Sequence, residues 1–172
     1  NTLPNSGNQT NIRDVVIQSD GKIVVSGDNK FVSANAPTAI TKSFVIRLNS
    51  DGTTDQSLQF AEEVDHSVVS MNLLADGKIL VAKRIYSGST IQRSVVQRLN
   101  SNGSLDNSFN VATIDSKVNT ILALGTEKIF VGGDFTAVNG QPRTNLAQMN
   151  SDGSLNKTAY NVNSEVLGLA VD

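Results

Sequence analysis

The chain has 172 residues, 38% of them apolar and only 5% aromatic with no tryptophan, and its 17% charged residues leave a formal net charge of −2. No basic field is present to hold a nucleic-acid backbone or an anionic membrane, no run of eighteen apolar residues offers a membrane-spanning helix, and the lack of cysteine excludes disulfides and thiolate chemistry. With so few rings, core area must come from Val, Ile and Leu, which favours thin β layers.

Residues 1–11 read as the end of a preceding repeat or a lead-in, without the basic start and apolar centre of a secretion signal. A first unit, residues 12–66, opens with apolar residues at Ile12, Val15 and Ile17, and closes that strand at Asp20-Gly21, a pair suited to a tight hairpin. Lys22-Ile23-Val24-Val25 starts a second strand, a loop of residues 29–41 follows, and Phe44-Val45-Ile46-Arg47-Leu48 forms a third. The turn Asn49-Ser50-Asp51-Gly52 then reverses the chain into Asp55-Gln56-Ser57-Leu58, expected as a short, exposed fourth strand.

A second unit, residues 67–116, repeats the order: Val68, Met71 and Leu73; Asp76-Gly77; Lys78-Ile79-Leu80-Val81; a shorter loop of residues 85–91; Val95-Val96-Gln97-Arg98-Leu99; Asn100-Ser101-Asn102-Gly103; and Asp106-Asn107-Ser108-Phe109. The third, residues 117–164, has Val118, Ile121 and Ala123, a degenerate Thr126-Glu127, Lys128-Ile129-Phe130-Val131, and a loop over residues 135–143. It continues with Leu146-Ala147-Gln148-Met149, Asn150-Ser151-Asp152-Gly153 and Asn156-Lys157-Thr158-Ala159. Val166, Leu169 and Val171 in residues 165–172 match the first strand of a further unit. The recurring lysines stand 56 and then 50 residues apart, a period that marks a repeat architecture.

The second strand of each unit is a continuous apolar run, which implies burial on both faces between stacked sheets. Four strands in about fifty residues with such a strand are what a propeller blade needs. The fold class is therefore all-β: β-propeller blades, three four-stranded antiparallel meander repeats plus the first strand of a fourth. Solenoids of shorter rungs and a trefoil barrel compete, but a closed trefoil has no use for a fourth unit. Three blades do not close a ring, so the chain is expected to belong to a larger ring or to assemble with another copy.

Asp20-Gly21-Lys22-Ile23-Val24-Val25-Ser26-Gly27, the stretch Gly132-Gly133-Asp134-Phe135-Thr136-Ala137-Val138-Asn139-Gly140, and Arg98-Leu99-Asn100-Ser101-Asn102-Gly103-Ser104-Leu105-Asp106-Asn107-Ser108-Phe109 together resemble the bacterial delta-60 repeat family. The resemblance covers nearly the whole chain and implies propeller-like blades in large exported or surface proteins of bacteria, with no assigned catalytic activity. Two departures stand out: Lys83-Arg84 replaces the Gly-Asp of Gly27-Asp28 and Gly133-Asp134, and Asp-Gly is missing before Lys128.

Several residue groups suggest chemistry. Asn49, Asp51 and Asp55 have spacing that suits a calcium loop, repeated as Asn100, Asn102 and Asp106 and as Asn150, Asp152 and Asn156. The single carboxylate in the second and third copies favours a plain turn instead. His66, the only histidine, follows Asp65, but adjacent strand residues point to opposite faces, which makes it an inter-blade residue rather than a general base. Gly132-Gly133 lacks the helix and the Lys-Ser/Thr pair of a phosphate loop. Lys22, Lys78 and Lys128 read as edge lysines that discourage sheet pairing, with an anion-binding ring as the sharper alternative. Arg47 and Arg98, replaced by Gln148 in the third slot, read as packing on the adjacent turn.

No residue is assigned to catalysis, to a cofactor or to a metal. The expected function is a non-catalytic binding or spacing module of an exported or cell-surface bacterial protein, recognising protein or glycan through the loops joining the second and third strands, especially residues 29–41 and 135–143. The alternatives are a carbohydrate-active enzyme with carboxylates such as Asp28, Asp134 and Glu127 in a propeller funnel, and purely structural stalk repeats. Expected partners are a protein or glycan ligand or further blades, with no nucleic acid and no membrane insertion.

Overall fold

A computed structural model of the protein describes residues 9–31, 40–61, 63–160 and 162–171. Among these the secondary structure is all β, and every ladder is antiparallel. The first sheet runs β1 (Gln9–Ile17), β2 (Ile23–Phe31), β3 (Ile40–Leu48) and β4 (Glu63–Val64) in sequential order. The second consists of β5 (His66–Leu73), β6 (Ile79–Ser87), β7 (Thr90–Leu99) and β8 (Ala112–Ile114). The third consists of β9 (Lys117–Leu124), β10 (Lys128–Asp134), β13 (Leu146–Asn150) and β14 (Leu155–Ala159). A hairpin from the third unit, β11 (Ala137–Val138) and β12 (Gln141–Pro142), extends the outer edge of the second sheet beyond β8.

The odd spacing of apolar residues in the first strands has a definite cause. In β1, β5 and β9 the register slips by one residue, at Arg13, Val69 and Asn119. An extra residue in one strand inverts the alternation beyond it, so Val68 and Met71 point the same way although three positions separate them. The bulges also leave polar work for side chains: Asp14 accepts the Met71 amide at 2.6 Å, and Ser70 accepts the Ile121 amide at 3.2 Å. Each contact joins the bulge of one unit to the first strand of the next.

Sheets pack face to face through those first strands, with β5 lying across β1, β2 and β3, and β9 across β5, β6 and β7. Val68, Met71, Ile79, Val81 and Leu99 meet Val24 and Val45 of the first sheet. The other face of the second sheet, with Leu80, Ala82 and Val96, meets Val118, Ile121, Ile129 and Val131 of the third. Ile79, Leu80, Val81 and Ala82 are consequently all sealed from water, as a continuous apolar run between two layers requires. Burial of each large side chain there contributes about 1.5–3 kcal/mol.

Turn chemistry follows the sequence closely. Gly21, Gly77, Gly52, Gly103 and Gly153 all take positive φ, and in the third unit, where Asp-Gly is missing, Gly125 takes that conformation instead. Two elements differ from expectation. Residues 55–58 and 106–109 form turns rather than fourth strands, because Asp55 and Asp106 cap the amides of Ser57 and Ser108 at 2.9 and 3.0 Å and curl the backbone. The outer strands β4 and β8 come several residues later. Residues 165–171 join no ladder: the Val166 amide donates to the Gly133 carbonyl at 2.9 Å, but among the described residues no strand lies alongside to complete a sheet.

Because Val15 and Met71 occupy equivalent positions but only Met71 is covered, their truncations should differ. Met71→Ala is expected to cost about 2–5 kcal/mol in urea denaturation, and Val15→Ala less than about 1 kcal/mol.

Candidate functional site

At the turn end of the sheets, the recurring charges form one repeated cluster. Lys22 Nζ and Arg47 Nε both donate to Asp55 Oδ2 at 2.8 Å, while Arg47 Nη2 donates to the Ser57 hydroxyl and Nη1 to the carbonyl of Ser101 in the next unit at 2.7 Å. In the second unit Lys78 and Arg98 hold Asp106 at 2.8 and 2.7 Å, and Arg98 reaches the carbonyl of Ser151 at 2.8 Å. Arg98 also stacks over Phe109, 4.9 Å from its centroid. These contacts hold both aspartates well below the ordinary carboxylate range, the lysine bonds acting most strongly and the Ser57 and Ser108 hydroxyls next.

Lys22 and Lys78 immediately precede the inner strands β2 and β6 and serve as ion-pair partners of Asp55 and Asp106, neither as edge blockers nor as a free anion ring, while Lys128 opens the inner strand β10. In the third unit Gln148 and Asn156 replace the charges, and Gln148 accepts from the Tyr160 hydroxyl at 2.7 Å. The arginines do pack on the adjacent turn.

The opposite end of the seam between the first and second sheets is built around Asp28. It is buried and accepts from Asn11 Nδ2, Arg13 Nε and the Ser67 hydroxyl at 2.9, 2.7 and 2.6 Å. Burial alone would raise its pKa, but these donors, Arg13 foremost, outweigh that and leave it lowered. Where Gly-Asp gives way to Lys83-Arg84, the grip on the next unit persists with reversed polarity: Arg84 donates to the Val118 carbonyl and to Asn119. Lys83 is buried and pairs with Glu63 of the first sheet. Beside Asp28 lies a polar cavity of about 310 Å³, whose walls include Gln9, Asn11, Arg13, Lys30, Thr41, Tyr86 and Ser89.

The central part of the loop at residues 29–41 lies outside the described residues. The loop at residues 135–143 is not a free recognition loop: Phe135 and Val138 are buried in the core, and Val138 pairs with Ile114 of β8. Asn139 exchanges bonds with Thr113, its amide donating to the carbonyl and its side-chain oxygen accepting the amide, each at 2.8 Å. Asp115 accepts the Thr136 and Ala137 amides, both at 3.0 Å. Only long-range partners reveal this clamp, since the local sequence reads as an ordinary polar turn.

Asp134 and Glu127 do not converge, and Asp28 is taken up at the first seam by Asn11, Arg13 and Ser67. Glu127 and Asp134 flank and end β10, whose length of seven residues at about 3.3 Å each separates them by roughly 20 Å, well beyond the 5–10 Å of glycosidase pairs. His66 opens β5, and its Nδ1 lies 2.6 Å from the Val64 carbonyl; no bond joins it to Asp65, which takes positive φ. In the turn proposed as a calcium loop, Asp51 accepts the Thr53 amide and hydroxyl whereas Asp55 is held by Lys22 and Arg47, so the two carboxylates belong to separate networks. Among the described residues no cluster of three or more His, Asp and Glu is arranged to hold a metal ion. No helix among them is long and apolar enough to cross a membrane. Tyr86 and Ser89 fall in the shorter loop expected at residues 85–91, but that short loop carries no motif to single them out within it.

Comparison with known proteins adds a family match. A profile described as a domain of unknown function (DUF5122) beta-propeller matches residues 18–58, 74–109 and 127–158, one segment in each unit. No curated protein matches the chain.

Since folded-state pairing lowers the pKa of Asp106, its contribution to stability is present above the unfolded value near 4 and is lost as pH falls further. Asp106→Asn should lower the melting temperature at pH 7, and the gap from the parent protein should narrow steadily below about pH 4 in calorimetry.

Proposed function

The chain belongs to the DUF5122 β-propeller family, and on that premise we propose that it is a non-catalytic recognition and spacing module of an exported or cell-surface bacterial protein. The observation that carries the recognition half is the polar cavity at the first seam. Tyr86 supplies an aromatic wall, Gln9 and Asn11 supply amides, and Thr41 and Ser89 supply hydroxyls, a mixture suited to stacking against and hydrogen bonding a sugar ring. Arg13 and Asn11 are already oriented by Asp28, so this wall is held in place before any ligand arrives. Of the two partner classes that suit such a module, protein and glycan, this chemistry favours a neutral glycan.

The spacing half draws on a different observation. Lys22, Arg47, Asp55 and their counterparts Lys78, Arg98 and Asp106 are all engaged in joining strands and neighbouring units, which suits a rigid element that sets distance between other parts of a protein. The likeness of the motifs to delta-60 repeats supports the bacterial, surface-exposed setting, as does a composition rich in Asn, Ser, Thr and Gly.

Binding to an array of neutral oligosaccharides tests the recognition half. The parent protein should retain at least one of them, and Tyr86→Ala should weaken that binding by at least about tenfold with the melting temperature little changed. An array on which the parent protein retains nothing would remove the glycan reading and leave the spacing role.

A further inference from the structure

The first sheet has one face that its own repeat symmetry marks as unfinished. Ile12, Val15 and Ile17 are 56%, 50% and 69% exposed, whereas their counterparts Val68 and Met71 are 0% and 4% exposed, and Val118 and Ile121 are 0% and 3% exposed. In the second and third units, what covers these positions is the forward face of the preceding sheet.

The turn at the same edge shows the same lack. Gly103 lies under Leu58 of the preceding unit, where an added Cβ would come within 2.9 Å of Leu58 Cγ. Gly153 lies under Phe109, with 2.8 Å to its ring. Around Gly52 an added Cβ would meet nothing within 4 Å. The carbonyls follow suit: Ser101 and Ser151 each receive an arginine from the unit before, and Asn102 and Asp152 receive the amides of Gln59 and Asn110. Among the described residues no such donor reaches the carbonyls of Ser50 and Asp51.

We infer that this face, formed by Ile12, Val15, Ile17, Gly52 and the Ser50 carbonyl, docks a further repeat of the same fold that carries the signature Arg-x7-Asp-x-Ser followed by Leu or Phe. That signature is what both covering units share: Arg47, Asp55, Ser57 and Leu58 in the first, and Arg98, Asp106, Ser108 and Phe109 in the second. The aspartate, tied to the lysine of its own unit, aims the arginine at the carbonyl of the neighbouring turn, and the apolar residue closes over the glycine. The third unit lacks every part of it, having Gln148, Asn156, Thr158 and Ala159. Val166 also sits against Gly132 on that unit's forward side, where an added Cβ would meet it at 2.5 Å. A second copy of this chain, docking through its third unit, is therefore not the occupant. This reasoning stands apart from the glycan cavity and survives the loss of that reading.

The absence of cysteine allows a direct test. Val15→Cys puts a single thiol on the face, which in the otherwise unchanged protein should react with a thiol reagent as an exposed group at any protein concentration. A duplicate of residues 9–65 joined ahead of residues 10–172 of that variant should slow labelling by at least about tenfold, as burial of a thiol does. A duplicate carrying Arg47→Gln, Asp55→Asn and Leu58→Ala should leave the thiol open, with circular dichroism confirming that the added unit is folded. Should the triple variant fail to fold, Leu58→Ala alone, which keeps the charged cluster, should give an intermediate rate. A thiol that stays open beneath the unaltered duplicate, or is equally protected beneath an altered one that folds, would overturn the inference. Protection in the unextended protein that grows with its concentration would overturn it too, by making a second copy the occupant.

Discussion

Every sheet in this protein is apolar on both sides, so no unit can bury its own core. A four-stranded meander with Ile79, Leu80, Val81 and Ala82 in succession on one strand has no wet face to offer, and it is sealed only when a sheet lies against each side. The rest of the structure serves this one constraint. Bulges in the first strands turn their apolar residues onto the preceding sheet, Asp14 and Ser70 accept the amides that such close packing would otherwise strand, and the arginines bind one unit's outer turn to the next. Repeat proteins of this kind derive cohesion from interfaces between neighbours more than from the units themselves.

The ionic clusters show how polar groups are handled at such an interface. Asp55 and Asp106 have little exposure, and each receives a lysine, an arginine and a serine, so none of these charges is left without a partner. Arginine rather than lysine reaches across the seam because its fork can hold the carboxylate through one nitrogen and present another to a backbone carbonyl. The exchange of Asp28 for Arg84 follows similar logic. The first collects donors from Ser67 in the next unit, the second donates to Val118 and Asn119, and in both cases the end of a second strand holds the start of the following first strand.

Most of the architecture was legible in the sequence because it is local or periodic. Asp-Gly pairs marked their hairpins, the continuous apolar runs marked the doubly covered strands, and the step of three between Val68 and Met71 carried the signature of a bulge, although it reads at first only as a strand with odd spacing. What stayed hidden depends on partners distant in sequence. Asp55 and Asp106 read as strand residues until their serine caps and lysines are in view. Phe135 and Val138 read as a recognition loop until Ile114 is seen alongside. The cavity wall at Tyr86 needs Asn11 and Arg13 from another sheet, and no spacing in the sequence relates them.

The seams between units also govern how the protein would respond to mechanical load. Tension that draws neighbouring units apart acts on the Arg47–Ser101 and Arg98–Ser151 bonds and on the Asp14 and Ser70 contacts, because these join one sheet to the next. Each seam that parts strips a sheet of apolar cover it had in the array, and a unit that then unfolds extends by its whole length. About fifty residues at roughly 3.3–3.6 Å each give a step of some 170 Å per unit. Parting of the seams one after another would thus lengthen the array under shear in discrete stages, one unit at a time.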